Sequence, residues 1–376
     1  MTGKSIRRLV TGGAAVSAAG WALRDIPAEL GGRADGRRME RMLRSANYHD
    51  GAFRNSVPAD MVAPGEAPNI LREMLRDRDT RRPSGDVPLI GGPDTPAPSD
   101  GVSARWLGHA TTLVELEGRR VLFDPVWSER VSPSQLVGPR RLHPLPINPD
   151  EVPDVDAIVI SHDHYDHLDR ATVLALTATQ TAPFLVPLGI GAHLDRWKVP
   201  ADRIVELDWE EEALVAGLTF TATAARHFSG RTLRRNDTLW ASWVVAGARH
   251  RVFYAGDSGY FDGYARIGAE HGPFDLTLMP IGAYNVNWAD IHMNPEQAIA
   301  AHLDLGGDLL VPVHWATFNL APHPWAEPVE RLWHEAKATD ARVAIPRPGE
   351  RVDIADAPTV DPWWEALKPP TRKAGG

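Results

Sequence analysis

Between about Val102 and Val313 the apolar positions fall into short runs, continuous or alternating, separated by glycine, proline and polar residues. The unbroken run Ala157-Ile158-Val159-Ile160 predicts a strand buried on both faces. Residues 112–116 and 121–125, turned back on each other at Gly118, predict a hairpin, and residues 239–245 and 251–255 predict another. Further strands are expected at 184–187, 204–207, 219–224, 275–280 and 309–313. Residues 170–179 read as a helix. A second helix runs to about Leu305, with Asn294 as its cap, Pro295 at its first position and Glu296 in its first turn. Strand, helix and strand in succession imply a layered α/β body.

The polar residues at the strand ends change the picture. Immediately after Ile160 come His162, His164, Asp166 and His167, nitrogen and oxygen donors suited to a borderline divalent metal, and the chain has no cysteine to compete with them. Side chains at i and i+2 of an extended segment share a face, so His162 and His164 can hold one ion. The turn through Tyr165 lets Asp166 and His167 face a second. Four donors do not complete two coordination shells, and single donors follow later strands: His227 after 219–224, Asp257 after 251–255 and His314 after 309–313. Glycines on both sides of Asp257 permit close backbone approach. His292 stands just before a capped helix, where loop residues tend to be functional. His109 and Asp124 read either as supports for the metals or as ordinary structural residues, and Arg140 and Arg141 either as phosphate contacts or as surface salt bridges.

The flanks divide the chain into four parts. Residues 1–30 read as a signal-like segment in which Arg7-Arg8 precede a mild Gly/Ala/Ser-rich apolar run, too short to cross a bilayer. That pattern fits export of the twin-arginine type or association with the cell envelope, with an uncleaved anchor or a cytoplasmic chain as alternatives. Residues 31–100 form a basic extension, with one amphipathic helix at 69–79 and a Pro/Gly-rich linker. Residues 101–360 are the catalytic domain, and 361–376 read as a loose tail. Residues 1–82 hold 15 Lys plus Arg against 10 Asp plus Glu, which leaves the remainder with 25 against 39. An acidic body of this kind excludes a general nucleic-acid binder, while the basic front is able to touch an anionic membrane.

Taken with the motifs WLGHATTLVE, FDPVWSERVSP, GPRRLHPLP, SHDHYDHLD, FYAGDSGYF, GPFDLTLMPIGAY, HMNPEQA and VHWATFNLA, the chain resembles the metallo-β-lactamase-fold hydrolases. Within them it is most similar to the N-acyl-phosphatidylethanolamine-hydrolysing phospholipase D family, over about residues 105–333. The resemblance implies a four-layer αβ/βα sandwich and two zinc ions. It assigns His162, His164 and His227 to one zinc, Asp166, His167 and His314 to the other, and Asp257 as the bridge. Asp166 and His292 become the catalytic residues, with His292 beside the substrate phosphate. The implied reaction is phosphodiester hydrolysis by a water held between the zincs, on N-acyl-phosphatidylethanolamine or a related phospholipid. The loop from Asn285 to Ile291 departs from the family in being short and in lacking a bulky apolar cluster after Trp288. A lactonase or other carbonyl hydrolase on the same metals, and a non-catalytic envelope or binding protein, are the competing readings.

Overall fold

A computed structural model describes residues 26–60, 65–91 and 99–368. Most of the signal-like stretch, and residues 369–376 of the expected tail, lie outside them. The chain opens with helices α1 (Ile26–Glu29) and α2 (Gly36–Arg44), the two-stranded hairpin β1 (Tyr48–His49) and β2 (Ala52–Phe53), and helix α3 (Ala67–Leu75). The expected helix at 69–79 thus begins earlier and stops sooner, because Asp77 takes left-handed backbone with φ 43°.

Two seven-stranded sheets follow. The first runs in chain order through β3 (Val102–Gly108), β4 (Thr111–Leu116), β5 (Arg119–Phe123), β6 (Ala157–Val159), β7 (Phe184–Pro187) and β8 (Ile204–Leu207), antiparallel up to β5 and parallel thereafter. The second comprises β9 (Glu212–Val215), β10 (Leu218–Thr223), β11 (Ser242–Ala246), β12 (Arg251–Tyr254), β13 (Phe274–Pro280), β14 (Gly307–Val313) and β15 (Arg342–Val343). The last strand, β16 (Arg351–Asp353), returns to the first sheet and pairs antiparallel with β3. Strand β11 starts three residues later than expected. The backbone N–H groups of Leu239 and Ala241 instead donate to Leu188 and Ser161 beside the first sheet, and these bonds take the place of a ladder.

Period-2 alternation explains the layering. Val121, Phe123, Ala157, Val159 and Leu185 face a core shared with Phe220, Trp243 and Phe253 of the second sheet. Leu122, Ile158, Ile160, Phe184 and Val186 face the other way, onto Val173 and Leu176 of α4 (Arg170–Thr179) and Leu194 of α5 (Gly191–Arg196). Helices α6 (Gly263–His271), α7 (Pro295–Asp304) and α8 (Glu327–Thr339) pack outside the second sheet. This is the αβ/βα sandwich, with both sheets sealed by helices.

Helix α7 starts with a reciprocal cap: Gln297 N–H donates to Asn294 Oδ1 at 2.9 Å and Asn294 N–H to Gln297 Oε1 at 3.0 Å. Replacing Asn294 with Ala is expected to cost about 1 kcal/mol in a urea titration. An unchanged midpoint would show that tertiary contacts alone fix this helix start.

The expected loose tail is corrected at Trp363 and Trp364, which are buried. Their rings lie 5.5 Å and 6.4 Å from that of Trp315, which in turn stacks on Trp106 at 5.4 Å. Large aromatic area removed from water outweighs the disordering effect of the flanking prolines. Trp315, at the centre of this cluster, is the residue after His314.

Candidate metal centre

Beyond β6 the chain leaves the first sheet as Ser161-His162-Asp163-His164. His162 Nε2 and His164 Nδ1 lie 2.8 Å apart, and His227 Nε2 lies 3.3 Å from His164 Nδ1. Ligands at 2.0–2.1 Å around a tetrahedral ion stand roughly 3.3 Å from one another, so the space between these rings has the size of one ion. His227 Nδ1 donates to the carbonyl of Ile291 at 2.9 Å, which leaves Nε2 with its lone pair directed inward.

A second group gathers around Asp166. Its Oδ2 lies 3.3 Å from His314 Nε2, 3.5 Å from His167 Nε2 and 2.9 Å from His109 Nε2. Asp257 stands between the groups: its Oδ2 is 3.2 Å from both His167 Nε2 and His314 Nε2, 3.8 Å from His227 Nε2 and 3.9 Å from His162 Nε2. Gly256 admits this approach, since a side chain there would meet Ser161 Cβ at 2.6 Å. All seven donors singled out in the sequence therefore come together.

Burial and hydrogen bonding indicate what fits. His167 Nδ1 donates to Asp124 Oδ2 at 2.6 Å, which leaves Nε2 facing the cluster, and that atom and Asp257 Oδ1 are buried with no hydrogen-bond partner. Unpaired buried polar atoms are costly, and a divalent cation that takes the place of the Nε2 proton satisfies both. The electrostatics agree. Burial lowers both His167 and His314, yet Asp257 and Asp166 outweigh it, lifting His314 to about 9 and His167 well above the usual imidazole range. The pocket demands positive charge. At His162 burial, reinforced by the neighbouring histidines, outweighs Asp257 and pushes the ring well below the ordinary range.

His292 sits at the edge of this cluster, with Nδ1 3.8 Å from Asp257 Oδ2 and its ring 5.1 Å from that of His227. Burial pushes it down to about 4. It also lines a cavity of about 590 Å³ together with Arg76, Tyr284, Asn285, Val286 and Arg331.

Two residues left open by the sequence now have defined contacts. Asp124 accepts from Ser161 N–H at 2.7 Å, Ser161 Oγ at 2.5 Å, His167 Nδ1 and the Tyr254 hydroxyl. His109 holds Asp166, and its ring lies 4.0 Å from that of His314. His109, Asp124 and His314 all adopt left-handed backbone, at φ 52°, 38° and 61°. Each such residue costs about 1–2 kcal/mol, a cost concentrated here where strands deliver the site. The arginines of the 138–144 loop are engaged elsewhere: Arg140 pairs with Glu129, while Arg141 donates to the carbonyl of Val126 and lies 4.9 Å over the Phe318 ring.

Sequence reasoning missed Asp163. It points away from His162 and His164, accepting from Gly230 N–H at 2.6 Å and from His193 Nε2 at 3.2 Å. The alternation that put the two histidines on one face also put Asp163 on the other, so the signal was present.

Residues 119–315 match the model of the beta-lactamase superfamily domain. The chain belongs to the β-lactamase superfamily. Within it, the chain is 53% identical over 365 residues to an uncharacterized protein of Mycobacterium tuberculosis, covering 95% of this chain and 98% of that one. It is 38% identical over 245 residues to the N-acyl-phosphatidylethanolamine-hydrolyzing phospholipase D 1 of Caenorhabditis elegans, covering 62% and 69%. The metallo hydrolase Igni18 of Ignicoccus hospitalis shares the fold, with a TM-score of 0.51 at 24% identity over 67% of this chain and 97% of that one. By fold and kinship the chain is a metal-dependent hydrolase of the metallo-β-lactamase type, homologous to N-acyl-phosphatidylethanolamine-hydrolysing phospholipases D.

Proposed function

We propose that this hydrolase cleaves a phosphodiester, in the phospholipase D manner, in N-acyl-phosphatidylethanolamine or a related phospholipid. The observation that carries the reading is the gathering of six histidine and aspartate donors, four of them buried, around Asp257 in a chain homologous to the C. elegans phospholipase D. His162, His164 and His227 would hold one zinc, and Asp166, His167 and His314 the other, with Asp257 shared. Bound there, the two ions would supply Lewis acidity that lowers the pKa of water and offsets charge on the phosphate.

The chain's own residues do the rest. The Asp124 carboxylate orients His167, and His109 orients Asp166 beside the reacting phosphate. His292, at the boundary between the donors and the 590 Å³ cavity, is placed to hydrogen-bond a phosphate or leaving-group oxygen. Arg76 and Arg331 line the cavity together with the acids Glu73, Asp77 and Glu327, and Arg331 is paired with Glu296 and Glu327. Val286, which lines the same cavity as His292, and Leu233, in the segment that follows His227, are exposed, which suits peripheral contact with a lipid surface. No helix among the described residues is long and apolar enough to cross a membrane. The signal-like residues 1–30 accord with an envelope location.

The test is metal content by elemental analysis together with hydrolysis of N-acyl-phosphatidylethanolamine, a chromogenic phosphodiester and a simple lactone on one preparation. Near two zincs per chain with release of N-acylethanolamine is the expected result, and lactone turnover without phosphodiester turnover would overturn it. Replacing His292 with Ala should lower turnover about 100-fold at unchanged metal content. Unchanged turnover would remove His292 from the reaction.

A further inference from the structure

The segment ahead of the family-matched residues reaches into the metal centre. The side-chain amide of Asn55 grips the main chain of His227 from both sides: His227 N–H donates to Asn55 Oδ1 at 3.0 Å, and Asn55 Nδ2 donates to the His227 carbonyl at 2.8 Å. Trp240 Nε1 donates to the same Oδ1 at 3.1 Å and fixes the amide's orientation. The residues next along continue the grip. Arg226, adjacent to His227, donates Nε to the Pro58 carbonyl at 3.1 Å and pairs with Asp290 at 2.9 Å, while Asp60 N–H donates to Asp290 at 2.8 Å. Asp290 precedes Ile291, whose carbonyl accepts the His227 ring proton. Both the backbone and the ring of His227 are thus tied to residues 55–60.

The segment is itself anchored. Phe53 and Met42 are buried against Leu188, Leu239 and Trp240, and Arg38 pairs with Glu206 at 2.5 Å. On the far side of the three histidines, Gly32 N–H donates to His193 Nδ1 at 3.1 Å, which leaves the His193 Nε2 proton for Asp163. Only glycine fits there, since a Cβ at Gly32 would meet the Ala192 carbonyl oxygen at 2.0 Å.

We propose that Asn55 is a positioning residue for His227, and that residues 55–60 thereby set the metal affinity of the His162/His164/His227 half of the centre. This rests on the metal reading above. An ion held by three imidazoles needs their lone pairs to meet at one point, and His227 comes from a loop that Asn55 and Ile291 hold by hydrogen bonds.

The test uses the full chain, with zinc affinity measured by competition against a chromophoric chelator and the geometry read from the visible spectrum of the cobalt form. Asn55→Ala is expected to bind the ion of the His162/His164/His227 half about 10-fold less tightly, with a shifted cobalt spectrum. Asn55→Asp, which keeps the acceptor for His227 and Trp240, should lose less. Arg38→Ala, which loosens the same segment away from the metals, should melt earlier at wild-type affinity. Affinity of Asn55→Ala within about two-fold of wild type, or an equal loss in Arg38→Ala, would overturn the proposal. Should Asn55→Ala yield no folded protein, Asn55→Asp decides, and wild-type affinity with an unshifted spectrum overturns it. A wild-type chain that takes up no ion would overturn the metal reading itself, and this inference with it.

Discussion

Replacing Asp257 with Ala is expected to release metal from both halves of the centre and to lower turnover by more than the roughly 100-fold that marks the upper range for residues merely orienting a ligand. The reason is its central place. One oxygen lies within 3.2–3.9 Å of imidazole nitrogens from His162, His167, His227 and His314, two from each group. Its neighbours hold the carboxyl well below the usual range, His167 foremost, although burial raises it. Asp257 is therefore an anion in this site. Asp257→Asn keeps the shape but not the charge and should fall between Ala and wild type. Metal analysis and initial rates on the three proteins check the claim. Two ions per chain and near wild-type rates in Asp257→Ala would show that the halves are held independently.

Replacing Asp124 with Ala is expected to cost about 3–5 kcal/mol in denaturant unfolding, because removing one member of a buried charged network strands the others. Asp124 is fully buried and accepts four hydrogen bonds, from the Ser161 backbone and hydroxyl, from His167 and from Tyr254. Two consequences separate. The Ser161 N–H and the Tyr254 hydroxyl become unsatisfied donors inside the core, which lowers stability. His167 loses the partner that fixes its tautomer, which lowers metal affinity about 10–100-fold. Equilibrium unfolding in urea of the metal-free chain, with zinc affinity measured beside it, reads the two effects separately. A cost below about 1 kcal/mol would mean that water replaces the carboxylate, and that the strand end is less tightly built than its contacts indicate.

Most regular elements were legible because local patterning and tertiary environment agree. The strands at 184–187 and 204–207 and the helix at 170–179 occur with the expected bounds. Each is a short apolar or helix-forming run closed by polar residues. Failures concentrate where partners come from far along the chain. Strand β16 is three residues long and exists because Arg351, Val352 and Asp353 find β3, about 250 positions earlier. Nothing in its own composition marks it as a strand. Trp363 and Trp364 sit among prolines and acidic residues that read as tail, and they are buried by partners from other elements, Trp315 and Trp325 among them.

For the site, the sequence by itself determined the kind of chemistry. Seven histidine and aspartate donors at strand ends, with no cysteine, specify nitrogen and oxygen ligation, and residue type and spacing suffice for that. The tertiary structure decided how those donors are held. Asp124 reaches His167 across 43 residues, Asp163 reaches His193 across 30 and Asn55 reaches His227 across 172. Asparagine or aspartate in a loop has many ordinary uses, and its identity does not name a partner. A ligand is recognisable by what it is, whereas a supporting residue is recognisable only by what folding places beside it.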